Sequence, residues 1–142
     1  DPSGSKQIFF AAADCTGHGV PGAMISVICN NSLNKAIYEY GLTDPGDILN
    51  QTRETIINEF QKSEEQVMDG MDIALCTLKN NVLYFSGANN PLWIVRQESK
   101  ELEIHKGDKQ PVGYYVKKSN YLLMKNKEVK ILQSLGISNP YI

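Results

Sequence analysis

From Gln7 to Cys15 the chain runs QIFFAAADC, a short continuous apolar run that ends in an aspartate. Such a run, bounded by turn residues, predicts a buried β-strand. The glycine-rich segment TGHGVPG ends it, and Pro21 suits the first turn of a helix, where a missing N–H costs nothing. Met24, Val27, Ile28, Leu33, Ile37 and Tyr38 then recur at roughly helical spacing. They predict a helix over Pro21–Tyr40 with Gly41 as its stop. In the turn LTDPGD (42–47), Thr43 or Asp44 is placed to cap a second helix. That helix, Pro45–Lys62, carries Ile48, Leu49, Thr52, Ile56, Ile57 and Phe60, and a polar, acidic loop (62–70) follows it.

From Met71 the pattern changes. MDIALCTLK (71–79), NVLYFSGA (81–88) and PLWIVRQ (91–97) are β-rich, and the breakers Asn80-Asn81 and Asn89-Asn90-Pro91 separate them. They predict an antiparallel meander. KELEIHK (100–106) adds an alternating strand and YLLMKN (121–126) is one more candidate. The tail from Lys127 reads as a short helix with a stop at Gly136, or as a poorly ordered end. One strand, two adjacent helices and a run of strands make an α+β fold with a mainly antiparallel sheet, not an alternating βαβ fold.

Composition narrows the function classes. The chain has 142 residues, which predicts a single domain able to bury a core without staples. A net charge of −2 gives no electrostatic footprint for nucleic acid or an anionic membrane, so no nucleic-acid partner is expected. Cys15, Cys29 and Cys76 form neither a CxxC pair nor an even set, which favours a reducing, cytoplasmic setting. The apolar run at 8–13 is too short to span a bilayer, and a membrane-anchored parent protein is left open.

Two readings compete for ADCTGHGVPGA. From Gly17 it spells G-x-G-x-x-G, a dinucleotide-binding fingerprint. That mechanism also needs a second parallel strand ending in an acidic residue about 20 positions on. Glu39 has the spacing but falls in the first helix, and the next element is a helix. Pro21 also removes a donor where a pyrophosphate would need one. The second reading centres on Asp14. An ionised carboxylate at the end of a buried strand needs a partner. Capping by the N–H groups of Thr16 and Gly17 would satisfy it as well as a metal ion would. His18, between two glycines, is expected at the surface of the turn, and a lone histidine there is more often structural than catalytic.

The stretch ADCTGHGVPGAM resembles the Asp-x-[Ser/Thr]-Gly-His-Gly motif of the SpoIIE-like branch of the PPM serine/threonine phosphatases. DGMDIALC (69–76), LYFSGANNPLWIV (83–95) and KGDKQPVGYY (106–115) resemble further motifs of that family in the same order, so the likeness covers about positions 7–116. The resemblance implies a four-layer αββα sandwich, two mainly antiparallel sheets flanked by helix pairs, with a site for two Mn²⁺ or Mg²⁺ ions at one edge. It implies that Asp14 bridges the ions as the catalytic carboxylate and that the backbone carbonyl of Cys15 completes one shell. Thr16, Gly17, His18 and Gly19 would shape the rim.

Family members also carry an upstream Gly-Asp motif and a late Asp-Gly motif. Asp1 is a poor match for the first, and no aspartate follows Tyr121. Residues 1–142 are therefore expected to be a single, partial phosphatase domain, incomplete at both ends. One carboxylate cannot hold two ions, so weak metal binding and little activity alone are expected. Asp69 and Asp72 read either as accessory ligands, Asp72 the better candidate, or as a polar loop entering a strand; the loop reading is favoured. Asn89 and Asn90 stand at the rim where many relatives have Gly-His-Asn, and a left-handed turn is their other reading. Gly113 is expected to be structural, Trp93 a core residue and His105 a solvated one.

The leading expectation is metal-dependent removal of phosphate from phosphoserine or phosphothreonine on a regulatory protein. For this branch that means a partner such as an anti-sigma-factor antagonist, with sensory or repeat domains upstream in the parent protein. The alternative is a catalytically degenerate module that docks the same regulator.

Overall fold

The computed structural model describes residues 6–60, 70–97, 99–113, 124–125 and 127–129. Strand β1 (Gln7–Cys15) leads into helix α1 (Gly19–Tyr38) and helix α2 (Pro45–Phe60). The β2 (Gly70–Lys79), β3 (Val82–Ala88), β4 (Leu92–Val95), β5 (Leu102–His105), β6 (Val112–Gly113) and β7 (Lys127–Val129) strands follow. The main sheet has the order β1-β2-β3-β7, with β6 paired to the end of β2, and β4 and β5 form a second, two-stranded sheet. All the named strand pairings are antiparallel.

Local chemistry explains most boundaries. The Asp44 carboxylate accepts from the N–H of Gly46 at 2.9 Å and of Asp47 at 3.2 Å, the cap expected for α2. Asn80 and Asn81 turn β2 into β3 with φ of 49° and 63°, the left-handed pair that a tight hairpin requires. Helix α1 begins two residues before Pro21, and Gly41 follows it at φ 65°.

The alternation of β2 divides the interior. Met71, Ile73 and Leu75 face the helices, where Ile25, Cys29, Ile48, Leu49 and Ile56 close one core. Cys76 points the other way, with Leu83, Phe85 and Val129, and Leu92 and Ile94 of the second sheet pack there. Burial pushes the Cys76 thiol up to about 11, since a thiolate would lose its water. Helix pair, main sheet and second sheet are thus three stacked layers, the arrangement expected up to the fourth layer.

Several expectations change. The predicted meander breaks after β3, because the chain leaves the main sheet at Asn89-Asn90 and builds β4 and β5 as a separate ribbon. Trp93 is not core but 65% exposed. Leu92 and Ile94 take the inward face of that ribbon, so residue 93 must point outward, beside Ile104 of β5. His105 is not fully solvated, because its ring lies 3.4 Å from Glu103. The Arg96 guanidinium grips Glu103 through two nitrogens and, with help from His105, holds its carboxyl below the usual range. Strand β1 forms over its predicted residues but is not buried: it pairs only with β2 among the described residues, leaving Ile8 and Phe10 about half exposed. Met24, Val27 and Tyr38 likewise lie on the open side of α1. Among the described part of 121–126, Met124 and Lys125 are not in a strand, and β7 begins at Lys127. Residues 61–69, 114–123 and 130–142, which include Asp69, most of the acidic loop and the tail, lie outside the described residues. No helix among the described residues is long and apolar enough to cross a membrane.

Candidate metal centre

The end of the β1–β2 ladder sets the geometry. Asp14 lies directly opposite Asp72 in the antiparallel register. Directly opposed residues project to the same face, so two carboxylates meet on one side of the sheet. This is the face opposite to Cys15 and Met71, away from the helices. Two residues further on, the Thr16 N–H donates to the Gly70 carbonyl at 3.0 Å. The Thr16 hydroxyl donates to that same carbonyl at 3.0 Å and accepts from the Gly70 N–H at 3.2 Å. Thr16 therefore clamps the last rung. Gly70 is needed there, since a Cβ would lie 2.5 Å from the Val112 carbonyl oxygen in β6.

The clamp also orients the backbone of Cys15. Ladder bonds alternate along an antiparallel strand, so the rung at Thr16 turns the Cys15 carbonyl away from β2. It faces the open edge of β1. A cleft of about 570 Å³ lies along that edge, between β1 and α1, lined by Asp14, Cys15, Gly17, His18 and Gly19 at one end and by Ser26 and Asn30 further along. Gly17, at φ 92°, packs against Gly22, where a Cβ would sit 2.8 Å from the Gly17 carbonyl. This contact folds the turn back onto the start of α1. His18 is the exposed N-cap of α1, and its side chain makes no capping bond.

Of the two readings of Asp14, the capping one is not realised among the described residues. The Thr16 N–H goes to Gly70 instead, and no hydrogen bond or ion pair among the described residues reaches the Asp14 carboxylate. Asp72 accepts a 2.7 Å bond from the side-chain amide of Asn89. Asn89 takes φ 56°, as its turn reading requires, and so the turn brings its side chain to the carboxylate pair. Asn90 donates its N–H to Ala88 within the same turn. Gly113, at φ 156°, pairs with Gly70 and is structural as expected.

Two carboxylates and a free carbonyl are hard oxygen donors, the chemistry that Mg²⁺ and Mn²⁺ prefer. In kind and number these donors would suit one such ion. No group of three or more His, Cys, Asp or Glu side chains comes together among the described residues, so these residues do not supply a set for two. The sequence singles out Asp14, whereas the bond from Asn89 to Asp72 and the close approach at Gly70 depend on strand register and were not anticipated.

Comparison with known proteins bears on the family and the fold. The family model for stage II sporulation protein E (SpoIIE) matches residues 4–128. Among solved structures, the SiaA-PP2C domain of Pseudomonas aeruginosa is similar, with a TM-score of 0.70 and 25% identity. The match covers 90% of this chain and 51% of that one, so the chain spans about half the length of the solved domain. No curated protein matches the sequence.

Proposed function

The chain belongs to the SpoIIE family and has a PP2C-type phosphatase fold, and from that premise we propose that it carries part of the metal centre of a protein serine/threonine phosphatase. The observation that carries this reading is the opposition of Asp14 and Asp72 at the ladder end, beside the turned-out carbonyl of Cys15. Opposed like charges cost stability unless something positive lies between them. A divalent ion meets that need, and Asp14, Asp72 and Cys15 would hold it. When bound, Mn²⁺ or Mg²⁺ lowers the pKa of a coordinated water and so supplies a nucleophile for in-line attack on phosphorus. Thr16 keeps the two carboxylates in register, and the 17–19 turn, with exposed His18, forms the rim beside them over which a phosphorylated side chain would approach.

The substrate in this reading is phosphoserine or phosphothreonine on a small regulator, such as an anti-sigma-factor antagonist. The described residues hold one ion's donors, so the isolated chain is expected to be weakly active. Turnover of p-nitrophenyl phosphate should require manganese and vanish in Asp14→Ala. If that substitution leaves turnover and metal binding unchanged but alters binding of the phosphorylated regulator, the chain is a docking module instead.

A further inference from the structure

The turn that leaves the main sheet is built more firmly than a connection needs. The Asn89 N–H donates to the Asp108 carbonyl at 2.7 Å, and the Asp108 N–H donates back to the Gly87 carbonyl at 2.7 Å. The Asn90 N–H closes on the Ala88 carbonyl at 2.6 Å. Gly87 and Gly107 pack backbone on backbone: a Cβ at Gly87 would lie 2.4 Å from the Asn90 carbonyl oxygen, and one at Gly107 2.7 Å from it. The Asp108 carboxylate is anchored in turn by the Lys125 N–H at 2.8 Å. These bonds fix Asn89 at φ 56°, a conformation that few side chains tolerate. Its amide donates to Asp72 at 2.7 Å.

We propose that Asn89 is a positioning residue of the metal centre, holding one oxygen of Asp72 so that the other stays directed toward Asp14. The inference rests on the metal-centre reading above. An amide suits the task because it is neutral. It orients the carboxylate without competing with a cation for its charge, as a lysine would. A lone exposed hydrogen bond competes with water and adds little to stability, so a merely structural role would leave little trace of its loss on metal affinity.

The test is manganese binding, read from the electron paramagnetic resonance signal of free Mn²⁺, alongside thermal melting without metal. Asn89→Gly removes the amide and accepts the left-handed backbone. It should weaken manganese binding about tenfold, the usual scale for losing a partner that orients a ligand, while melting stays within about 2 °C. Asn89→His keeps a residue type enriched in this conformation and restores an N–H, so it should recover affinity to within about threefold. Unchanged affinity in Asn89→Gly overturns the positioning role. So does a loss that tracks a fall in melting temperature and that Asn89→His does not rescue. If Asp14→Ala abolishes manganese binding in either case, the metal-centre reading stands by itself. No manganese binding by the unaltered chain overturns that reading, and the positioning role with it.

Discussion

Asp14→Asn should make the metal-free protein more stable. Asp14 and Asp72 are opposed on a hydrogen-bonded rung, which places their Cα atoms about 5.5 Å apart. At about 6 Å between charges in a water-like dielectric, Coulomb's law gives about 0.7 kcal/mol of repulsion. Salt reduces this and the half-buried position of Asp72 increases it, so about 0.5–1 kcal/mol is expected, within the range for like cross-strand charges. Neutralising Asp14 removes the repulsion and breaks no hydrogen bond among the described residues. Thermal melting in EDTA should therefore rise by about 2–4 °C. Manganese should reverse the order. An ion bound only to the folded state at ten times its dissociation constant adds about 1.4 kcal/mol. The parent chain gains this increment and Asp14→Asn does not. A fall in melting temperature for Asp14→Asn in EDTA would show that the carboxylate is held by a favourable contact, such as a cap, and would refute the reasoning. Equal stabilisation of both proteins by manganese would refute it too.

Phe85 is fully buried between the two sheets, so Phe85→Ala should cost about 3–5 kcal/mol in urea denaturation. Gly70→Ala forces a methyl against the Val112 carbonyl and the Gly113 Cα, backbone atoms that cannot swing aside. It should lower stability by about 1–3 kcal/mol and weaken manganese binding through the Thr16 clamp. The raised pKa of Cys76 also sets a pH dependence. The folded thiol holds its proton to about 11 while the unfolded one loses it near 9. Its contribution is fully present below pH 9 and is lost as pH rises toward 11. Cys76→Ala should flatten that part of the stability–pH curve, measured by urea midpoint at each pH.

Much of this arrangement is legible in the chain. Asp44 before Pro45 gives the cap of α2, Asn80-Asn81 gives the β2–β3 hairpin, and Asp14 closing an apolar run gives the strand end of the site. These signals are local, because each depends on residues a few positions apart. What was not legible depends on register. Asp72 reads either as an accessory ligand or as the polar entry to a strand until β1 and β2 are paired, and only then does it fall opposite Asp14. Asn89 reads as a turn former, and its bond to Asp72 exists because Asp108, far along the chain, holds the turn. Trp93 misleads for a related reason. Alternation shows that a strand has two faces, but not which of them meets a partner, and in the β4–β5 ribbon the inner one belongs to Leu92 and Ile94.

Calorimetric titration with manganese tests the central claim most directly. One weak site that disappears in Asp14→Ala is the predicted result. Two tight sites, or a site that survives Asp14→Ala, would contradict the account.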